Sequence, residues 1–139
     1  MRKLQKLIIL SLFLLFASTL VQAQFVTVWQ TDNQGSSKPN QITIPAKGNY
    51  KIVWQEMGNS ANKGEAVGKD ATRLTFPKAG KYKVIITGGL QSLNFWDEGD
   101  RLKLLNIEQW CWIAWQTMKF AFGGCENMRC VATDAPNLS

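Results

Sequence analysis

The chain has 139 residues, with 16 Lys and Arg against 10 Asp and Glu and a formal charge of +6. That length suits one domain of ordinary size, or a small domain with part of a second. No histidine occurs, which excludes histidine-based triads, histidine proton shuttles and the common histidine-containing zinc sites.

Arg2, Lys3 and Lys6 make a basic start, and no acid occurs before Asp32. An uncharged apolar run follows over residues 7–20 (LIILSLFLLFASTL), and then Val21-Gln22-Ala23. This three-part pattern predicts a secretory signal over residues 1–23, cut between Ala23 and Gln24. The apolar run of ~14 residues falls short of the ~20 needed to span a bilayer. No Cys follows it, so a lipid-modified terminus is not indicated. Without the three leading bases the excess charge falls from +6 to +3 and is evenly spread. Nucleic acid is therefore not an expected partner, and no later segment is apolar enough for a membrane span.

Beyond the signal, residues 24–90 read as short strands broken by turns. Residues 25–31 (FVTVWQT) are β-branched and aromatic, and a polar stretch with Gly35 and Pro39 follows. Residues 41–44 (QITI) alternate up to Pro45, and Lys47-Gly48-Asn49 is a predicted turn. Residues 50–55 (YKIVWQ) place Tyr50, Ile52 and Trp54 on one face, because side chains alternate along a strand. Residues 58–69 are loop-like, with three Gly and two Asn. Residues 73–76 are a short strand, Pro77-Lys78-Ala79-Gly80 a turn, and residues 81–87 (KYKVIIT) the clearest strand, ended by Gly88-Gly89. The predicted inward set is Trp29, Ile42, Ile44, Tyr50, Ile52, Trp54, Leu74, Phe76, Tyr82, Val84 and Ile86. Strands at this spacing suggest a β-sandwich.

The texture changes from Gln91. An acidic turn (Asp97, Glu98, Asp100) precedes residues 102–107, which suit a strand, and four of the six Trp fall between Trp96 and Trp115. Residues 115–122 read as a short helix stopped by Gly123-Gly124. One longer helix over residues 107–122 also fits part of the apolar spacing, but Trp112 and Ile113 fall off its stripe.

Residues 50–55, followed by Leu74-Thr75-Phe76-Pro77-Lys78-Ala79-Gly80-Lys81-Tyr82-Lys83-Val84, resemble the PKD-like immunoglobulin-type sandwich. The acidic turn usual after the Trp strand of such domains is replaced here by Gln55-Glu56-Met57-Gly58. The tail carries Ile107-Glu108-Gln109-Trp110, then Trp115-Gln116-Thr117-Met118, Ala121-Phe122-Gly123-Gly124-Cys125 and Asn127-Met128, then Ala132-Thr133-Asp134-Ala135-Pro136-Asn137-Leu138-Ser139. This pattern resembles the BspA-like leucine-rich-repeat surface proteins common in Bacteroidetes. The resemblances imply a mainly β chain: a sandwich over residues 24–90, then one to two repeat coils over residues 91–139, each a short strand plus a short helix. Residues 107–110 then become a strand end, 115–122 a helix and 128–132 the strand of the next coil. A repeat cannot bury its apolar face alone, so the expected segment is a truncated array. Its open coil would pack back on the sandwich or associate with another copy.

Three cysteines, Cys111, Cys125 and Cys130, leave at least one thiol unpaired. Cys125 and Cys130 have a spacing compatible with a disulfide; a role as small core residues is the stronger expectation. Their spacing fits no common zinc pattern, and no base is at hand to activate a thiol. Asp97, Glu98 and Asp100 lack the alternation of a calcium loop and read as a solvated turn. Glu108 with one of them is a nonspecific match to a glycosidase pair. The glycines form no phosphate cradle. No cofactor and no metal is expected.

The aromatics are the most suggestive feature. Trp110 and Trp115 match inward positions of the repeat, whereas Trp96 and Trp112 do not. Trp96 and Trp112 are therefore the candidate binding residues, since Trp combines a large apolar face with an N–H donor. The resemblance implies an exported, non-catalytic module for adhesion or protein–protein contact, at the cell surface or outside it. Its partner would be a host or bacterial surface protein or glycan. Exposed and coplanar Trp rings would favour a carbohydrate-binding module and buried ones plain packing, and a remnant of a longer repeat protein is a further alternative.

Overall fold

Apolar residues at every second position force an extended chain, which buries one face and leaves the other to water. The computed structural model describes residues 23–139, so the signal expected at the N-terminus lies almost wholly outside the described residues. Eight strands follow in order: β1 (Phe25–Gln30), β2 (Gln41–Ile44), β3 (Ala46–Glu56), β4 (Asn59–Lys69), β5 (Thr72–Thr75), β6 (Lys81–Leu93), β7 (Leu104–Gln109) and β8 (Arg129–Cys130). Six form one sheet in the order β4-β3-β6-β1-β7-β8, and β2 with β5 forms a second. The architecture is mainly β and consistent with a β-sandwich.

Every residue of the predicted inward set is buried. At its centre Phe76 stacks on Tyr82 at 4.1 Å, and Trp54 meets both rings edge-on at 5.1 and 5.6 Å. Such arrangements place the positive edge of one ring on the negative face of another. The buried Trp29 indole donates to Thr27 Oγ1 at 2.8 Å, and that hydroxyl donates to Val84 O at 2.9 Å. The Trp29 indole and the Thr27 hydroxyl are thereby satisfied.

Four local expectations are corrected. Residues 58–69 are not a loop but β4, which pairs antiparallel with β3 along its length. Its side chains give no alternation because β4 is an edge strand packed through glycines. A Cβ on Gly64 would collide with the Trp54 indole, and one on Gly68 with the Tyr50 ring. The Lys47-Gly48-Asn49 turn is instead a bulge within β3. Gly48 has φ 108° there, and a Cβ would strike the Gly89 carbonyl. Gly88-Gly89 does not end the last strand of the half; β6 continues to Leu93 against the bulged part of β3.

The fourth correction concerns the tail. No helix forms over residues 115–122; the chain there makes successive tight turns. Ala121 N–H donates to Met118 O, Gly123 to Phe120, Cys125 to Phe122 and Met128 to Cys125, each three residues back. Phe120 adopts φ 55°, a left-handed value incompatible with a continuing helix. A short parallel strand does follow. β8 pairs with β7 through Asn106 opposite Arg129 and Ile107 opposite Cys130, and the same 23-residue step separates Cys111 N from Asp134 Oδ2. Among the described residues no helix is long and apolar enough to cross a membrane.

The boundary expected at residues 90 and 91 falls inside β6, and β7 pairs directly with β1. Phe25 of β1 sits 5.6 Å from Trp110 and 5.1 Å from Trp115, and Trp110 sits 5.9 Å from Phe122. One continuous core therefore runs from the sandwich into the tail.

Candidate functional site

The chemical groups are mostly consumed by the fold. Asp100 is not part of a solvated turn: it and Lys103 are fully buried, with Nζ and Oδ1 3.9 Å apart. Lys103 Nζ donates to the carbonyls of Ser37, Lys38 and Gln41 at 2.9–3.0 Å. Asp100 accepts from Ser37 N at 3.0 Å and Thr43 N at 2.6 Å. Burial alone would raise the Asp100 pKa, but these donors and the Lys103 charge together hold it below the usual range. Burial pushes the Lys103 pKa down, partly opposed by Asp100. The pair pins the loop between β1 and β2 to the turn before β7, which is a structural task.

Asp134 does the same for the tail. Its carboxylate accepts from Trp110 N at 3.0 Å and Cys111 N at 2.8 Å, and these bonds lower its pKa. Cys111 can therefore hold φ 54° at the tip of the turn that carries Trp112. Glu108 pairs with Lys83 at 2.9 Å across the sheet, so it is not poised beside another carboxylate as an acid–base pair. All three cysteines are free thiols. Burial pushes the Cys125 thiol up to about 12 against the opposing charge of Arg101, so it is not a nucleophile at neutral pH. Among the described residues no three His, Cys, Asp or Glu side chains gather as a metal site.

The aromatics divide cleanly. Trp29, Trp54, Trp110 and Trp115 are buried, whereas Trp96 is 57% and Trp112 72% exposed. Trp115 Nε1 has no hydrogen-bond partner; the indole meets Phe25 at 85°, where ring edges face a π cloud. Trp96 and Trp112 do not pair with each other. Trp112 stands alone on its turn, while Trp96 packs against Phe120 with centroids 4.3 Å apart at 41°. Phe120 is itself 45% exposed, and Lys119 Nζ lies 5.2 Å from its ring centroid.

Sequence reasoning missed Phe120 because it lay within the predicted helix. The Gly123-Gly124 pair just after it was the available signal for irregular backbone. Three backbone bonds knit the segments: Phe95 N to Ala121 O, Trp96 N to Phe120 O and Asp97 N to Gly123 O, at 3.0–3.4 Å. Trp96, Asp97 and Phe120 all have left-handed φ, at 43°, 55° and 55°. Such values for bulky residues are costly and persist only where surrounding structure over-determines them.

A groove of about 180 Å³ is lined by Ser36, Thr43, Pro45, Asn94, Phe95 and Glu98 among others, and Trp96 is not part of its wall. Two broader grooves cross the outer face of β3, β4 and β6 and share Lys51, Val67 and Thr87. They are shallow ladder surfaces without converging polar groups. Comparisons of this chain with protein families, with curated proteins and with solved structures find no match.

Proposed function

We propose that the protein is an exported, non-catalytic binding module that works at or outside the cell surface. The observation that carries this reading is the exposure of Trp96 and Trp112 while every other Trp is buried. Exposed Trp held on fixed backbone is the side chain best suited to anchor a partner, since it adds large apolar area at small entropic cost. The titratable groups with the strongest environments, Asp100, Lys103 and Asp134, are engaged in holding loops, which supports binding over chemistry. The parallel β7–β8 step supports the BspA-like resemblance of the tail, and the sandwich-like sheets support the PKD-like one. Partners of that kind are surface proteins or glycans.

The test is expression of the full chain in a Gram-negative host. The expected product is exported and begins at Gln24, and its labelled form binds intact bacterial or epithelial cells saturably. Replacing both Trp96 and Trp112 by Ala should lower that binding at least tenfold, the loss of an anchor worth more than about 1 kcal/mol. Retention in the cytoplasm, or binding that never saturates, would contradict the reading. A second reading is favoured by β8, whose residues and the adjoining Val131 are exposed on an outer sheet edge. Self-association through that edge would appear as a defined dimer in sedimentation, abolished by Val131→Glu, which puts a charge on the exposed side chain and leaves its N–H bonded to Ile107 O.

A further inference from the structure

We propose that the β4 edge pairs antiparallel with the same edge of a second copy of the chain, about a two-fold axis at Gly64, and joins the two six-stranded sheets into one. The proposal goes beyond the binding-module reading and does not depend on it.

The edge is long and its backbone is unspent. β4 is the outermost strand of the six-stranded sheet and runs for 11 residues without a proline. The strand at the opposite edge, β8, has two. Along an antiparallel ladder, successive residues direct their backbone groups to alternate sides. Asp70 N donates inward to Gly48 O of β3, and Lys69 N turns outward to Thr72 Oγ1. The same alternation directs the N–H and C=O groups of Lys63, Glu65 and Val67 away from β3. Unpaired groups in such a row are a template for another strand.

Charge selects a second copy as the occupant. Lys63, Glu65 and Val67 are exposed on one face of β4, and among the described residues neither Lys63 nor Glu65 makes an ion pair. Pairing about Gly64 sets Lys63 opposite the partner's Glu65 and Glu65 opposite the partner's Lys63. The two-fold axis makes both contacts at once. The same register sets Val67, the most exposed large apolar side chain among the described residues, beside the partner's Ala61. Opposite charges facing each other across strands stabilise the pair, and like charges destabilise it. An axis at Lys63 or at Glu65 would set like charges against each other, and an axis at residue 66 would set Lys63 against the partner's Lys69. Backbone parity agrees with Gly64, because that axis brings together the outward groups of residues 63 and 65. A foreign strand would have to match this alternation, whereas a second copy matches it by symmetry.

Sedimentation equilibrium of the purified protein, from micromolar to submillimolar concentration, should show a reversible monomer–dimer equilibrium. Lys63→Glu and Glu65→Lys should each raise the dissociation constant about tenfold or more, since each turns two symmetry-related attractions into repulsions. An equimolar mixture of the two variants should regain a dimer, because one chain then presents two acids and the other two bases. Lys81→Glu, the same change of charge on the exposed face of the interior strand β6, should leave the equilibrium unchanged. Unfolding midpoints measured on the monomers should match the parent, which separates lost pairing from lost fold. A monomer at every concentration, a dimer that withstands both β4 variants (as one joined through β8 would), or a mixture that stays monomeric would each overturn the proposal. None of these outcomes touches the module reading, which predicts cell binding for monomer and dimer alike.

Discussion

At the scale of single residues, the buried Asp100–Lys103 pair does what surface ion pairs do not. Lys103 Nζ satisfies the carbonyls of Ser37 and Lys38 in the β1–β2 loop and of Gln41 in β2, and Asp100 satisfies the amides of Ser37 and Thr43. Removing one partner leaves an uncompensated charge out of water. Lys103→Met should cost about 3–5 kcal/mol in urea unfolding, whereas Lys81→Met on the exposed face of β6 should stay within about 0.5 kcal/mol. The pair also sets an acid dependence. The Asp100 pKa is depressed in the folded state, so its contribution is present above the ordinary carboxylate range and is lost as pH falls through the depressed value. The parent's unfolding free energy should therefore fall on acidification, and Asp100→Asn should flatten part of that slope. An identical slope in the variant would refute the assignment. The sequence showed Asp100 only as one acid among three. Nothing local distinguishes a buried carboxylate from its solvated neighbours when its partners lie some 60 residues away in Ser37 and Thr43.

At the scale of elements, the legible strands were those whose own side chains alternate. β2, β5, the second half of β3 and the first half of β6 declare their buried faces, and every residue of the predicted inward set is buried, although the core also takes in Phe25, Ala46, Leu90 and Leu93, which that set left out. β4 stayed hidden because its burial belongs to its partner: Tyr50 and Trp54 supply the rings, and Gly68 and Gly64 supply the space opposite them. Gly64→Val and Gly68→Val should each destabilise by about 1–3 kcal/mol through displaced rings. Val67→Thr between them, 80% exposed, should be near neutral by thermal unfolding. The tail was half legible. Strands form near two of its expected positions, as β7 and β8, which pair in parallel with 23 residues between partners along the ladder. Its helix was misread because apolar spacing cannot show a residue held at positive φ. Phe120 occupies such a conformation, and the turns around it carry the exposed ring that the helix would have carried elsewhere.

At the scale of the molecule, sandwich and tail share one core, so they should unfold together. Leu104, Ile107, Trp110, Ile113 and Trp115 are all buried against the sheet. Far-ultraviolet and near-ultraviolet circular dichroism should give coincident transitions, and a chain stopped after residue 103 should lose its cooperative transition. Two separate transitions would mean that the tail unfolds independently of the sheet. This unity matters for binding, because a platform on a frayed tail would have to be ordered by its ligand, at a cost in affinity.

The measurement that bears most directly on a preset aromatic platform is amide hydrogen exchange of the purified protein without ligand. The amides of Phe95, Trp96 and Asp97 donate to Ala121, Phe120 and Gly123. They should exchange slowly, with protection comparable to the β7 amides that pair with β1. Exchange of these three at the rate of an unstructured peptide, while β7 stays protected, would contradict the account.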